Sequence, residues 1–246
     1  KKSNGQYFTP QRIADFMGKL PKSKSGSVSI LDPGCGTGIL SCALIESISA
    51  KTTVSSIELT LFETDDDVVI QTQKVIDYLA TWLGQKGIPL NYQIVQADFI
   101  LENSNVFDAK NLFGSETIKT YDYIISNPPY FKISKNDKRA IAAKELVYGQ
   151  PNIYSLFMGI SAKLLNPDGE LVFITPRSFA AGNYFKAFRQ SFFNDVSISH
   201  IHIFESRNKM FKNDNVLQEN IIIRASKQSN AVIKITVSEC EDELNH

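Results

Sequence analysis

Short runs of apolar and β-branched residues alternate along the chain with longer stretches whose apolar positions recur every three to four residues. The first pattern fits strands buried in a sheet, and the second fits helices with one buried face. Strands are expected at 28–32, 54–63, 92–96, 121–126, 170–175, 200–204 and 216–224, with a last one at 231–237. Helices are expected at 10–20, 38–49, 65–83, 153–165 and 183–193. Asn166-Pro167-Asp168-Gly169 reads as a turn that ends one helix and launches the next strand. Strands alternating with helices in this way are the mark of an α/β fold with a mostly parallel sheet. Only 131–152 reads as a long, polar, lysine-rich loop, and loops of that length are usually functional lids or disordered.

Composition narrows this picture a little. At 246 residues and 43% hydrophobic, the chain can bury the core of one large domain. It contains no run of about 20 apolar residues, so no membrane-spanning segment and no membrane partner are expected. The start, Lys1-Lys2-Ser3-Asn4-Gly5, lacks the pattern of a secretory signal, and the missing initiating Met reads as an excerpt of a longer chain. Cys35, Cys42 and Cys240 form neither an even disulfide framework nor a Cys-x-x-Cys pair. A cytoplasmic protein is expected.

The net charge is zero, whereas phosphate binding usually leaves a basic footprint. The charges are unevenly placed, however. Lys132, Lys135, Lys138, Arg139 and Lys144 face only Asp137 and Glu145 within 131–149. Arg177, Lys186, Arg189, Arg207, Lys209 and Lys212 make a second basic stretch. An ordinary mixed surface explains the charges equally well.

The chemistry gathers at strand ends. The first strand runs into Asp32-Pro33-Gly34-Cys35-Gly36-Thr37-Gly38, after which a helix begins. Glycines there let a backbone approach a ligand, and the helix start offers free N–H groups. A phosphate-binding loop would not want the Asp32 carboxylate, so a methionine-derived cofactor is favoured over a nicotinamide dinucleotide. Glu63 ends the second strand, where an acid accepts ribose hydroxyls; a solvated acidic helix start is its competitor. Asp98 and Phe99 end the third, where a carboxylate can accept an adenine amine or merely cap a helix.

The fourth strand delivers Asn127-Pro128-Pro129-Tyr130. Consecutive prolines lack N–H donors and hold the backbone extended, leaving carbonyls, especially that of Pro128, free to point into a site. With the Asn127 side-chain oxygen they make two acceptors for one NH2 group. Two acceptors on its hydrogens favour a pyramidal nitrogen whose lone pair can attack a methyl group. Tyr130 can stack on a planar substrate, worth roughly 1–3 kcal/mol for a base.

Gly5-Gln6-Tyr7-Phe8-Thr9-Pro10, the glycine loop, Asp98-Phe99 and Asn127-Pro128-Pro129-Tyr130 together resemble the ordered motifs of N6-adenine DNA methyltransferases. The chain is most similar to the γ class, which includes the TaqI and Eco57I enzymes. The resemblance continues through Pro151-Asn152-Ile153-Tyr154, 166–179, Met210-Phe211 and 216–224. It implies a Rossmann-like methyltransferase fold, with helices on both faces of the sheet and an antiparallel C-terminal strand. It implies S-adenosylmethionine as cofactor and double-stranded DNA as partner, within a restriction-modification system. By the same resemblance, Tyr7 and Thr9 contact the methionine end of the cofactor, and Gly34, Gly36 and Gly38 let the backbone pack against it. Asp32, placed just before them, can reach a ligand amine or a bound water as a further cofactor contact. Glu63 holds the ribose, and Asp98 and Phe99 hold the adenine. Asn127 and the Pro128 carbonyl grip the target amine of a flipped-out adenine, with Pro129, Tyr130 and Phe211 against the base. No room for a target-recognition domain exists between Asp98 and Asn127. The whole of 1–246 is therefore the expected catalytic domain, with target recognition beyond His246 and an endonuclease as a possible fused or associated partner.

Other readings compete. Cytosine C5 methylation needs a cysteine nucleophile, and Cys35 is badly placed inside the glycine loop. Protein-glutamine and RNA-adenine methylation use the same amine chemistry. A non-catalytic module that holds cofactor or DNA is a further alternative. His200 and His202 share a strand face with Glu205 nearby, but no third ligand is evident, so structural histidines and no metal are expected.

Overall fold

In the computed structural model the described residues are 9–51, 53–107, 118–204, 219–229, 232–239 and 244. Among them, eight strands form one sheet: β1 (Gly26–Pro33), β2 (Val54–Phe62), β3 (Leu90–Val95), β4 (Tyr121–Ser126), β5 (Leu165–Pro176), β6 (Ser197–Phe204), β7 (Asn220–Ser226) and β8 (Lys234–Ser238). Their order is β3-β2-β1-β4-β5-β7-β6-β8. From β3 to β5 all neighbours run parallel, whereas β7 is antiparallel to both β5 and β6. The edge strand β8 lies parallel to β6. The order reverses between β1 and β4, and ligands of open α/β sheets bind beyond the carboxyl ends of strands at such a switch point.

Helices cover both faces. Ile13 and Met17 of α1 (Gln11–Lys19), Leu44 and Ile48 of α2 (Ile39–Lys51) and Ile76 and Leu83 of α3 (Asp66–Gln85) pack on Ile30, Leu59 and Tyr123. On the opposite face, α4 (Phe99–Asn103), α5 (Lys138–Ala142), α6 (Ile153–Lys163) and α7 (Lys186–Asp195) bring Ile100, Ala140, Tyr154 and Phe188 onto Leu31, Ile124 and Phe173. Along β5 the side chains alternate, Leu171 and Phe173 to one core and Val172 and Ile174 to the other. Burial on both faces is why parallel strands read as continuous apolar runs. The same logic explains α6, where every residue from Ile153 to Ala162 is buried.

The helix ends follow their sequence signals. Asp65 caps α3, its Oδ1 accepting from the backbone N–H of Asp67 at 3.0 Å and Val68 at 3.3 Å. Asp66 and Asp67 then set negative charge against the positive end of the helix dipole. At Asn166-Pro167-Asp168-Gly169 the outcome differs from the expected turn. The helix ends at Lys163 and β5 already begins at Leu165, stepping from Leu165 to Glu170 while its partner steps only from Tyr121 to Tyr123. The turn residues are thus absorbed as a bulge in a continuous strand. The helix expected at 183–193 divides into a 3-10 turn (Asn183–Phe185) and α7. Helices α4 and α5 were not anticipated, since five residues are too few for a periodic pattern.

His200 and His202 face the same side of β6. Both lie 2.8 Å from the Thr236 hydroxyl, and His202 also lies 3.1 Å from Ser238 Oγ. Burial lowers both imidazole pKa values, that of His202 to about 4, so the pair is neutral at physiological pH and serves to tie β8 to β6.

Candidate active site

The site assembles where β1, β2, β3 and β4 end. After β1, Gly34, Gly36 and Gly38 adopt φ of 71°, 54° and 82°, the left-handed region that glycine enters without steric cost. Backbone bonds fix this loop: Cys35 N–H donates to the Phe62 carbonyl and Gly38 N–H to the Cys35 carbonyl, both at 2.9 Å. Ser126, at the end of β4, donates its hydroxyl to the Pro33 carbonyl at 2.6 Å. That bond holds the segment after β4 beside the glycine loop.

Glu63 is buried, and among the described residues its carboxylate is held by backbone donors. Oε2 accepts from Gly36 N–H at 3.1 Å, and Oε1 accepts from Thr64 at 2.7 Å and Asp65 at 3.0 Å. Charge-assisted bonds of this kind make burial of a carboxylate tolerable. Glu63 is therefore distinct from the solvated helix start at Asp65, Asp66 and Asp67.

Asp98 caps a helix and also borders the cavity. Its Oδ1 caps α4, accepting from Ile100 N–H at 3.0 Å and Leu101 N–H at 3.2 Å. The residue also lines the cavity beside the glycine loop. Phe99 packs against Phe62 (ring centroids 5.3 Å apart) and Phe157 (5.0 Å), building an aromatic wall.

Asn127 donates from Nδ2 to Thr9 Oγ1 at 3.1 Å. The Tyr130 hydroxyl lies 2.5 Å from Asn127 Oδ1 and 2.8 Å from the Ile174 carbonyl oxygen, two acceptors for one proton. The Tyr130 ring is buried, edge-on to Tyr154 with centroids 6.2 Å apart.

These elements enclose a cavity of about 360 Å³, within the size range of small-ligand sites. Of the residues singled out in the sequence, Gly34, Gly36, Glu63, Asp98, Phe99, Asn127 and Pro129 line it. Gly38 instead faces α3, where an added Cβ would meet Ile76 Cδ1 at 3.3 Å. Thr9, Asp32, Pro128 and Tyr130 are not among its lining residues, while Tyr7 and Phe211 lie outside the described residues. Asp32 is fully buried. Its Oδ2 accepts from Ser41 Oγ at 2.7 Å, and among the described residues its Oδ1 has no hydrogen-bond partner. Burial, reinforced by the nearby Glu63 charge, pushes the Asp32 carboxyl up to about 7. Burial likewise drives the Cys35 thiol far above its ordinary range, so it is no thiolate nucleophile.

Eight lining residues had not been singled out as contacts: Phe62, Thr64, Val68 and Ala97 beside the strand-end acids, and Phe131, Arg139, Ile153 and Phe157 beyond the Asn127–Tyr130 motif in the chain. Phe157 lies in a helix that is apolar all round, where a ligand contact looks like core. Arg139 was one base in a lysine-rich stretch. The only local signal was the Asp137 that caps α5 and pairs with its guanidinium. The cavity thus offers aromatic walls with a carboxylate at each of two strand ends. That combination suits a flat ring carrying an amine, joined to a group bearing hydroxyls.

Comparison with known proteins gives the chain its relatives. Residues 45–211 match the family described as Eco57I restriction-modification methylase. The chain is 35% identical over 97% of its length to the Type II methyltransferase M.BsuBI of Bacillus subtilis. It is 32% identical over 98% of its length to the Type II methyltransferase M.PstI of Providencia stuartii. It spans about half of each, 47% of their lengths. A putative class I S-adenosylmethionine-dependent methyltransferase from Listeria monocytogenes shares the fold, with a TM-score of 0.66 at 19% identity over 98% of this chain and 68% of that one. By its sequence, this chain belongs to the Eco57I restriction-modification methylase family.

Proposed function

We propose that the chain is the catalytic domain of a DNA methyltransferase that uses S-adenosylmethionine to methylate the N6 amine of adenine. The observation that carries this reading is the convergence of Asn127 and Pro129 with Gly34, Glu63 and Asp98 on one cavity. The residues fit the cofactor: Glu63 would hold the ribose, Asp98 and Phe99 the adenine, and Thr9 and Asp32 would serve the methionine end. The buried Oδ1 of Asp32 is an acceptor suited to an ammonium group or a water bound to one. When bound, S-adenosylmethionine supplies an electrophilic methyl group on sulfur.

The protein's own part is to hold the target amine. Asn127 Oδ1 and the Pro128 carbonyl would accept its two hydrogens and favour a pyramidal nitrogen. The Tyr130 hydroxyl has the Ile174 carbonyl as an alternative acceptor, so it can leave Asn127 Oδ1 to the substrate. Stacking of Tyr130 on the base requires its buried ring to be uncovered, and Phe211 would supply the second aromatic surface. Adenine N6 is reached in a duplex only by extruding the base, at a cost of a few kcal/mol. Exposed Lys132, Lys135 and Lys138 would bind phosphates beside the opening.

The matched relatives are about twice as long, and we assign target recognition to sequence beyond His246, with an endonuclease as a fused or separate partner. Among the described residues no helix is long and apolar enough to cross a membrane, and the reading places the enzyme in the cytoplasm with its DNA. Transfer of a radiolabelled methyl group from S-adenosylmethionine to duplex DNA, followed by detection of N6-methyladenine, tests the proposal. Labelling of only RNA or a glutamine-bearing peptide overturns it.

A further inference from the structure

Residues 131–152 follow the substrate motif, yet one of their side chains reaches the far end of the cavity. The loop is closed at its neck, where Ile153 N–H donates to the Phe131 carbonyl at 2.9 Å and Ile133 N–H to the Pro151 carbonyl at 3.0 Å. Within it Ala140, Ala143 and Leu146 are buried, so the loop packs as part of the second core. Arg139 projects from α5 into the cavity lining, close to Asp98 at the start of α4.

The guanidinium is fixed before any ligand arrives. Asp137 accepts from Arg139 Nε at 2.9 Å through Oδ1 and from Nη2 at 2.7 Å through Oδ2, a two-pronged pairing of planar groups. Asp137 Oδ1 also accepts the Arg139 backbone N–H at 2.9 Å, which ties the pair to the cap of α5. Nη1 remains, 3.9 Å from Asp98 Oδ2. That distance is too long for a hydrogen bond but close enough for charge attraction. Since Oδ1 of Asp98 is committed to the α4 N–H groups, Oδ2 is the oxygen nearest the guanidinium, with lone pairs still available.

We propose that Arg139 is a positioning residue for Asp98, holding Oδ2 ready for the amine edge of the cofactor's adenine. This rests on the reading that the cavity takes S-adenosylmethionine. It makes the loop after the substrate motif a part of cofactor selection: a 6-amino purine is preferred over a 6-oxo one because the carboxylate beside Arg139 accepts and does not donate. Both side chains are about a quarter exposed, so the expected effect is modest.

The test is calorimetric binding of S-adenosylhomocysteine and of its inosine counterpart. Wild type, Arg139→Met, Asp98→Asn and the double variant are compared, with thermal unfolding to confirm folding. Arg139→Met is expected to weaken the adenine form about two- to fivefold while leaving the inosine form nearly unchanged. In the Asp98→Asn background the same change is expected to do nothing further. Asp137→Asn, which keeps the guanidinium but releases its clasp, is expected to shift the preference in the same direction by less, and serves if Arg139→Met does not fold. Equal weakening of both ligands, or full additivity with Asp98→Asn, overturns the role of Arg139. A wild type that binds neither ligand overturns instead the reading of the cavity.

Discussion

The floor and the roof of the cavity are built by different physics. The floor consists of strand ends: the loop after β1, Glu63 after β2, Asp98 after β3 and Asn127 after β4. Its carboxylates and glycines are fixed by backbone hydrogen bonds such as Gly36 to Glu63 and Ile100 to Asp98. The roof is the loop 131–152, anchored by its neck hydrogen bonds and its buried apolar residues, and its charged lining side chain, Arg139, is aimed by an ion pair with Asp137. A floor fixed by backbone tolerates little change of residue, because each position needs a particular conformation or oxygen. A roof side chain aimed by charge can vary and tune binding while the loop's own packing holds its place. The floor should therefore govern chemistry and folding, and the roof should govern affinity.

The largest expected effect breaks the floor at its reacting end. Asn127→Ala should retain cofactor binding by calorimetry but lower methyl transfer on the order of 10²–10³-fold, the loss typical of removing a hydrogen bond aimed at the reacting group. Near-normal transfer would remove Asn127 from the chemistry.

Behind the floor, the buried Asp32 carboxyl makes stability depend on pH. Its pKa rises from 3.8 to about 7 on folding, so between those values the folded state holds a proton that the unfolded state has lost. Stability then falls as pH rises through this window, by roughly 4 kcal/mol once it is complete, the worth of some three pKa units. Asp32→Asn should raise the melting temperature at pH 8 and confer little at pH 4. A gain independent of pH would contradict the burial argument.

Gly34→Ala asks whether the floor's conformation matters apart from its charges. At φ 71° the added Cβ would meet Phe157 Cε1 at 3.3 Å, and the left-handed backbone costs a non-glycine residue about 1–2 kcal/mol. Both melting temperature and cofactor affinity should fall; an unchanged pair of values would show that the loop relaxes freely. The smallest effect belongs to the roof. Neutralising Lys132, Lys135 and Lys138 should weaken DNA binding and reduce the slope of log affinity against log salt by about one unit for each phosphate no longer neutralised. Unchanged affinity would separate the loop from DNA.

The same contrast explains what could be read in the sequence. Floor residues stand next to their strands, so a run such as 121–126 followed by Asn127-Pro128-Pro129-Tyr130 announces its place at a sheet end. β4 coincides with its expected bounds, and the alternation of strands and helices carried the rest of the α/β order. Asp98 was ambiguous between cap and ligand contact because a carboxylate has two oxygens and can occupy both positions. Arg139 and Phe157 were illegible for a different reason. Their approach to the cavity depends on how α4, α5 and α6 pack, and no local pattern encodes that. The turn expected at 166–169 vanished into β5 because pairing with β4 absorbs extra residues as a bulge.

The central claim is methyl transfer to the exocyclic amine of adenine in DNA. Its most direct test incubates the full-length protein with radiolabelled S-adenosylmethionine and, in parallel, duplex DNA, RNA and a glutamine-bearing peptide, then identifies the methylated product by mass spectrometry. The account predicts N6-methyladenine in DNA, lowered on the order of 10²–10³-fold by Asn127→Ala. Label confined to the peptide or RNA, or methylation of a cytosine ring carbon, would contradict it.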